Sequence, residues 1–133
     1  DPSELCISSI TYAELMYGVE KSQKVDKNRL AMMLFLSPIT ILDFSARAAE
    51  EYGKIRADLE KQGTPIGPLD MQIAGHAKAE ELILVTNNTR EFLRVKDLEV
   101  EDWTIELLIL KEKFAKVFAN QNVDTALLPE AEK

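Results

Sequence analysis

Three carboxylates carry the chemistry this sequence could perform. Glu14, Asp70 and Glu91 each fall where the pattern places the first turn of a helix that follows a strand or loop. If the strands run parallel, those helix starts gather at the carboxyl edge of the sheet, where open α/β folds bind ligands. Helix N-termini favour an ionised carboxylate, yet neighbouring carboxylates repel unless a cation sits among them. Hard oxygen donors of this kind suit Mg²⁺ or Mn²⁺. Such an ion can activate water and clamp a phosphodiester during in-line attack. Each carboxylate also has a plainer role. Thr11 and Glu14 form a T-x-x-E capping box, Asp70 can cap its own helix, and Asn88 with Glu91 repeats the box. Spacing alone therefore does not name a nuclease.

Other side chains could support that chemistry. Thr86, Asn87 and Asn88 end a strand and can orient water or phosphate, or serve only the turn. Arg90, Arg94 and Lys96 follow and can touch a backbone phosphate, although a solvated surface accounts for each. His76, the single histidine, has no second His or Cys beside it as a metal partner, so a packing or rim role is expected. Trp103 is expected to pack the end of the domain. No G-x-G-x-x-G, P-loop or G-x-S-x-G occurs.

The elements that must position these residues follow from periodicity. Residues 4–10 predict a strand and 12–21 a helix. A second helix covers 26–36, and Pro38 marks its exit. Residues 39–44 predict a strand. Ser45 then caps a long helix to residue 62, with Ala48, Ala49, Tyr52, Ile55 and Leu59 on one face, and Gly63 stops it. Residues 63–69 hold two Gly and two Pro and form a loop. Asp70 opens a helix over 71–81, and 82–86 is a buried strand. A short helix over 89–95 and a last strand near 98–100 follow. This alternation argues for an α/β fold, a central parallel sheet flanked by helices on both faces. Residues 105–118 are helical in pattern, and 120–133 are polar. That tail reads as an appendage, a permuted piece of the domain, or a disordered end.

The chain has 133 residues, enough for one domain with its own core. No apolar run is long enough to span a bilayer. Cys6 is the only cysteine, so no disulfide framework exists, which suits a reducing cytoplasm. The net charge of −7 argues against general nucleic-acid binding, which needs Lys and Arg to release counterions. RNA would have to be held by a local basic rim or by metal. The same charge suits a basic partner peptide.

Three stretches, in order, carry a family resemblance. Ile7-Ser8-Ser9-Ile10-Thr11-Tyr12-Ala13-Glu14-Leu15 followed by Tyr17-Gly18 resembles the second motif of VapC toxins, which are PIN-domain ribonucleases. Gly63-Thr64-Pro65-Ile66-Gly67-Pro68-Leu69-Asp70 followed by Ile73-Ala74-Gly75-His76-Ala77 resembles their third. Leu84-Val85-Thr86-Asn87-Asn88-Thr89-Arg90-Glu91-Phe92 resembles the fourth, and Glu101-Asp102-Trp103 is similar to the usual end of such chains. The resemblance implies a PIN fold over residues 1–103, with 104–133 as a C-terminal extension and tail. It implies a Mg²⁺- or Mn²⁺-dependent endoribonuclease, a homodimer, and neutralisation by a VapB-type antitoxin whose tail covers the acidic pocket. Glu14 and Asp70 would be metal-site carboxylates, with Glu91 and Asn88 at the more variable fourth position.

One departure stands out. Members of that family open with an apolar strand ending in Asp-Thr-Asn, well upstream of the Glu14 motif. Only 13 residues precede Glu14, and none of them forms that tripeptide. Three explanations stand: an N-terminally incomplete chain, which is the simplest; a rearrangement; or a degenerate protein without catalysis. For the second, Val123-Asp124-Thr125-Ala126-Leu127-Leu128 partly resembles the motif, and Asp124 would replace its carboxylate. The leading expectation is RNA cleavage. An inactive module that binds an antitoxin is the alternative. A phosphoacceptor receiver-like domain ranks below both, because the strand at 82–86 is not followed by the Lys such a domain wants.

Overall fold

The computed structural model describes residues 5–86, 88–102 and, as backbone, 116–119. The order is β1 (Leu5–Ser8), α1 (Ser9–Glu20), α2 (Val25–Leu36), β2 (Thr40–Leu42), α3 (Ala46–Gln62), α4 (Pro68–Ala79), β3 (Ile83–Thr86), α5 (Thr89–Phe92), β4 (Val100–Glu101) and β5 (Lys116–Ala119). The strands form one sheet in the order β2-β1-β5-β3-β4. β1 pairs parallel with β2, and β3 pairs parallel with β4. The α/β reading and the parallel pairs therefore hold. The sheet is mixed, however, because β5 lies antiparallel between β1 and β3. Residues 116–118 thus continue no helix, contrary to the helical pattern of 105–118, and stand in the centre of the sheet. Asp124 and the rest of the polar tail lie outside the described residues, as do Asn87 and Trp103.

Period-two alternation explains the two-sided core. Leu84 of β3 faces a cluster built from Ile55 and Leu59 of α3, from Met71, Ile73, Ala74 and Ala77 of α4, and from Phe92. Its neighbours Ile83 and Val85 face a second cluster with Leu5 and Ile7 of β1 and Leu36 of α2, against which Tyr12 and Leu15 of α1 pack. All four residues of β3 are buried, as expected of a strand covered on both faces. Each such side chain contributes roughly 1.5–3 kcal/mol on burial.

Helix ends follow local chemistry. Ser45 Oγ accepts the N–H of Ala48 at the start of α3, as the sequence suggests, and Gly63 ends that helix in the left-handed conformation at φ 73°. α4 begins with Pro68 at its first turn and Gly67 as its N-cap, so Asp70 lies inside the turn and is not the cap. α1 starts earlier than its pattern implies. Ser8 is its N-cap and accepts the N–H of Ile10. The Thr11–Glu14 capping box is therefore not formed. Thr11 is buried within the helix, and Glu14 stands in the second turn.

Two close approaches fix the helices. A Cβ on Gly75 would meet the backbone of α3, 2.7 Å from Tyr52 N and 3.0 Å from Ala48 O. Only glycine lets α4 lie this near α3. At the other end of α4, Arg47 Nη2 donates to the Ala79 carbonyl at 2.6 Å.

Candidate active site

Topology brings three helix starts to one edge. α1 leaves the carboxyl end of β1, and α5 leaves that of β3. α4 joins the amino end of β3 through residues 80–82, so its own first turn lies at the carboxyl edge as well. Glu14 on α1, Asp70 on α4 and Glu91 on α5 are all half-buried there. α1 also packs against α4, which brings the Glu14 and Asp70 helices together. The Asp70 carboxylate folds back over its own helix start, where Oδ2 would stand 3.9 Å from a Cβ on Gly67. A carboxylate in that place is favoured by the N-terminal dipole.

The third carboxylate is tied differently. Asn88 occupies the N-cap of α5 but makes no side-chain cap bond. Its Nδ2 donates instead to Glu91 Oε2 at 3.1 Å, and its backbone N–H donates to Thr86 Oγ1 at 3.0 Å. Thr86 is buried at the end of β3 and serves the turn. Arg90 is exposed on α5. Arg94 braces the loop before α4, with Nη1 donating to the Pro65 carbonyl at 3.2 Å. Among the described residues, no three His, Cys, Asp or Glu side chains are grouped closely enough to hold a metal ion. The donor chemistry of the edge suits a hard cation, but these side chains do not by themselves complete a site.

A buried polar chain behind the edge carries no obvious sequence signature. Ser8 Oγ lies 2.7 Å from His76 Nδ1, and both side chains are fully buried. His76 also lies near Asp43 and meets the Phe44 ring edge-on. Ser9 Oγ accepts the Phe44 N–H at 3.1 Å. Burial holds the His76 pKa below its ordinary 6.5, against the raising effect of Glu80 and Asp43. His76 therefore packs inside, as expected, and pins α4 to the strand end from which α1 departs. The available signal was a histidine in the otherwise small and apolar run Ile73-Ala74-Gly75-His76-Ala77.

A two-sided α/β sheet with carboxylates on helices that begin along one edge is the arrangement of a PIN domain, and the family model described as "PIN domain" matches residues 1–98. Relatives narrow the class. The chain is 54% identical over 101 residues to a protein named tRNA(fMet)-specific endonuclease VapC from Shigella flexneri, covering 76% of each chain. It is 51% identical over 100 residues to Ribonuclease VapC2 of Haemophilus influenzae, covering 75% of this chain and 76% of the relative. Among solved structures, the VapBC2 complex of Rickettsia felis bound to a promoter DNA fragment superposes with a TM-score of 0.72 at 48% identity, over 74% of each chain. The chain belongs to the VapC ribonuclease family.

Proposed function

We propose that this protein is the toxin of a VapBC-type toxin–antitoxin pair, an endoribonuclease that hydrolyses RNA phosphodiester bonds at the carboxyl edge of its sheet. The convergence of the Glu14 and Asp70 helices on that edge carries the reading. In the hydrolytic step water oxygen bonds to phosphorus, the bond to the leaving ribose oxygen breaks, and that oxygen gains a proton. In this reading Glu14 or Asp70 takes the proton from water, and Glu91, held by the Asn88 side chain, assists. Mg²⁺ or Mn²⁺, when bound, would supply a positive charge for the phosphate and an activated water. Glu14 and Asp70 would be its ligands, with further donors required. The relatives in Shigella and in Salmonella are named for initiator tRNA, which makes that RNA the substrate proposed here.

The partner reading rests on the surface. Leu30, Met33 and Leu34 are exposed on α2 at the i, i+3, i+4 spacing of one helix face, and Tyr17 is exposed on α1. Between these helices lies a groove of about 350 Å³ lined by Leu15, Val19, Met32 and Phe35, with Glu14 among its walls. An apolar segment ending in a basic side chain fits such a groove. An antitoxin of that form would bind there, and homodimerisation and a cytoplasmic location are proposed with it. No helix among the described residues is long and apolar enough to cross a membrane. To test the substrate, bulk tRNA is incubated with the purified chain and Mg²⁺ and the cut ends are mapped. Cleavage confined to initiator tRNA supports the assignment. Uniform cleavage of all tRNAs would remove it while leaving the ribonuclease reading intact.

A further inference from the structure

Two carboxylates that act together must be held at a fixed separation, and Glu14 and Asp70 stand on different helices. A closed ring of contacts lies behind them. Ser8 Oγ accepts the Ile10 N–H, which caps α1, and lies 2.7 Å from His76 Nδ1 on α4. The His76 ring meets the Phe44 ring edge-on, with centroids 5.5 Å apart and an interplanar angle of 81°. Phe44 follows β2 and donates its N–H to Ser9 Oγ at 3.1 Å. Ser9 adjoins Ser8, so the contacts run from Ser8 through His76, Phe44 and Ser9 and close on themselves. They tie together the β1–α1 junction, the segment after β2, and α4.

The Ser8–His76 bond acts at a distance from both carboxylates. Glu14 lies six residues after Ser8, and Asp70 lies six before His76. Six helical residues span about 9 Å, so a tilt at the bond is carried out to each carboxylate. Both Ser8 and His76 are fully buried. A buried hydrogen bond holds one geometry, because leaving either group unpaired is costly, whereas an apolar contact can slide. The residue before His76 is Gly75, where α4 lies against the α3 backbone, so α4 is braced on a second side. We propose that Ser8 and His76 are positioning residues for the hydrolytic step. Resting on the ribonuclease reading, their bond fixes the separation of the Glu14 and Asp70 carboxylates, and Phe44, held by Ser9, keeps the imidazole turned toward Ser8. A misplacement of about 1 Å in such a pair costs on the order of 10²-fold in rate.

His76→Phe is the cleanest break, because the Ser8 hydroxyl still caps α1. Ser8→Ala removes the bond from the other side, and His76→Asn returns a polar partner near the Nδ1 position. Two readouts are taken on the full-length chain. Spin labels on Ala13→Cys and Leu69→Cys, exposed neighbours of Glu14 and Asp70, report the distance between α1 and α4. Cys6 stays in place, since burial pushes its thiol up to about 11 and leaves it unreactive at neutral pH. The parent and His76→Asn should give one narrow distance, and His76→Phe and Ser8→Ala a broadened or displaced one. Unlabelled variants are then assayed for Mg²⁺-supported RNA cleavage well below their melting temperatures. In His76→Phe, kcat should fall roughly 10- to 100-fold with KM held within about twofold, and His76→Asn should recover most of the loss. Val95→Ala, a core truncation outside the ring, controls for lost stability and should change neither readout. A distance that broadens in His76→Phe and not in Val95→Ala, together with the fall in kcat, supports the proposal. Unchanged distances in both ring variants, equal broadening in Val95→Ala, or an unchanged kcat in His76→Phe would overturn it. A parent that cuts no RNA would remove the ribonuclease reading instead, and the distances alone would then decide whether this pair sets the helix spacing.

Discussion

At the residue scale, the interior of the site is held by hydrogen bonds more than by charge. Ser8 Oγ accepts the Ile10 N–H and meets His76 Nδ1, so one hydroxyl serves both the start of α1 and the middle of α4. Replacing His76 with Phe keeps an aromatic ring but removes the imidazole partner of the Ser8 hydroxyl, and should cost about 1–3 kcal/mol in a denaturant titration. The same variant isolates a pH effect. Burial lowers the His76 pKa in the folded state below 6.5, so below that pH the unfolded chain binds more protons than the folded one. The stability contribution is complete above pH 6.5 and is lost as pH falls from there through the folded value. His76→Phe should lack this part of the acid slope, and an unchanged slope would show that other groups produce it. The internal placement of His76 was legible because a lone histidine among small apolar residues has no metal partner nearby. Its bond to Ser8 was not legible, because 68 residues separate the two.

At the scale of elements, the chain shows which signals are local. The Ser45 cap and the Gly63 stop bracket α3 as their sequence implies, because both act through backbone groups within a few residues. The predicted box at Thr11 and Glu14 fails because Ser8 offers an oxygen earlier, at the strand end, and α1 starts there. That shift places Glu14 in the second turn, where side-chain direction matters more to it than the helix dipole. The α3–α4 contact also depends on one small residue. Gly75→Ala would set a Cβ 2.7 Å from Tyr52 N, against backbone that cannot rotate away. Overpacking of that kind costs about 1–3 kcal/mol, and a calorimetric scan should show a lower transition; an unshifted transition would mean the helices part freely. On the facing side, Leu34→Asp alters an exposed residue, so the fold should keep its melting temperature while antitoxin affinity falls by roughly tenfold or more. Unchanged affinity would place the antitoxin elsewhere.

At the scale of the whole molecule, the alternation of strands and helices announced an α/β sheet covered on both faces, and the ordered motifs announced the family. The antiparallel strand at the centre was hidden, since the short segment Lys116–Ala119, which overlaps the end of the run at 105–118, looks the same in a helix as in a strand. The gathering of the α1, α4 and α5 starts on one side was readable because helices that follow strands must begin at one edge of a parallel arrangement. The number of carboxylates that act together was not readable, because it depends on pairings far apart in sequence. The central claim is that this edge cuts RNA through Glu14 and Asp70. It is tested most directly by measuring Mg²⁺-supported cleavage of end-labelled initiator tRNA by the purified chain beside its Asp70→Asn variant, with circular dichroism to show that both are folded. The account predicts cleavage by the parent and a loss of about 10²- to 10⁴-fold in Asp70→Asn. A folded parent that leaves the RNA intact, or a variant that cuts at the parent's rate, would contradict it.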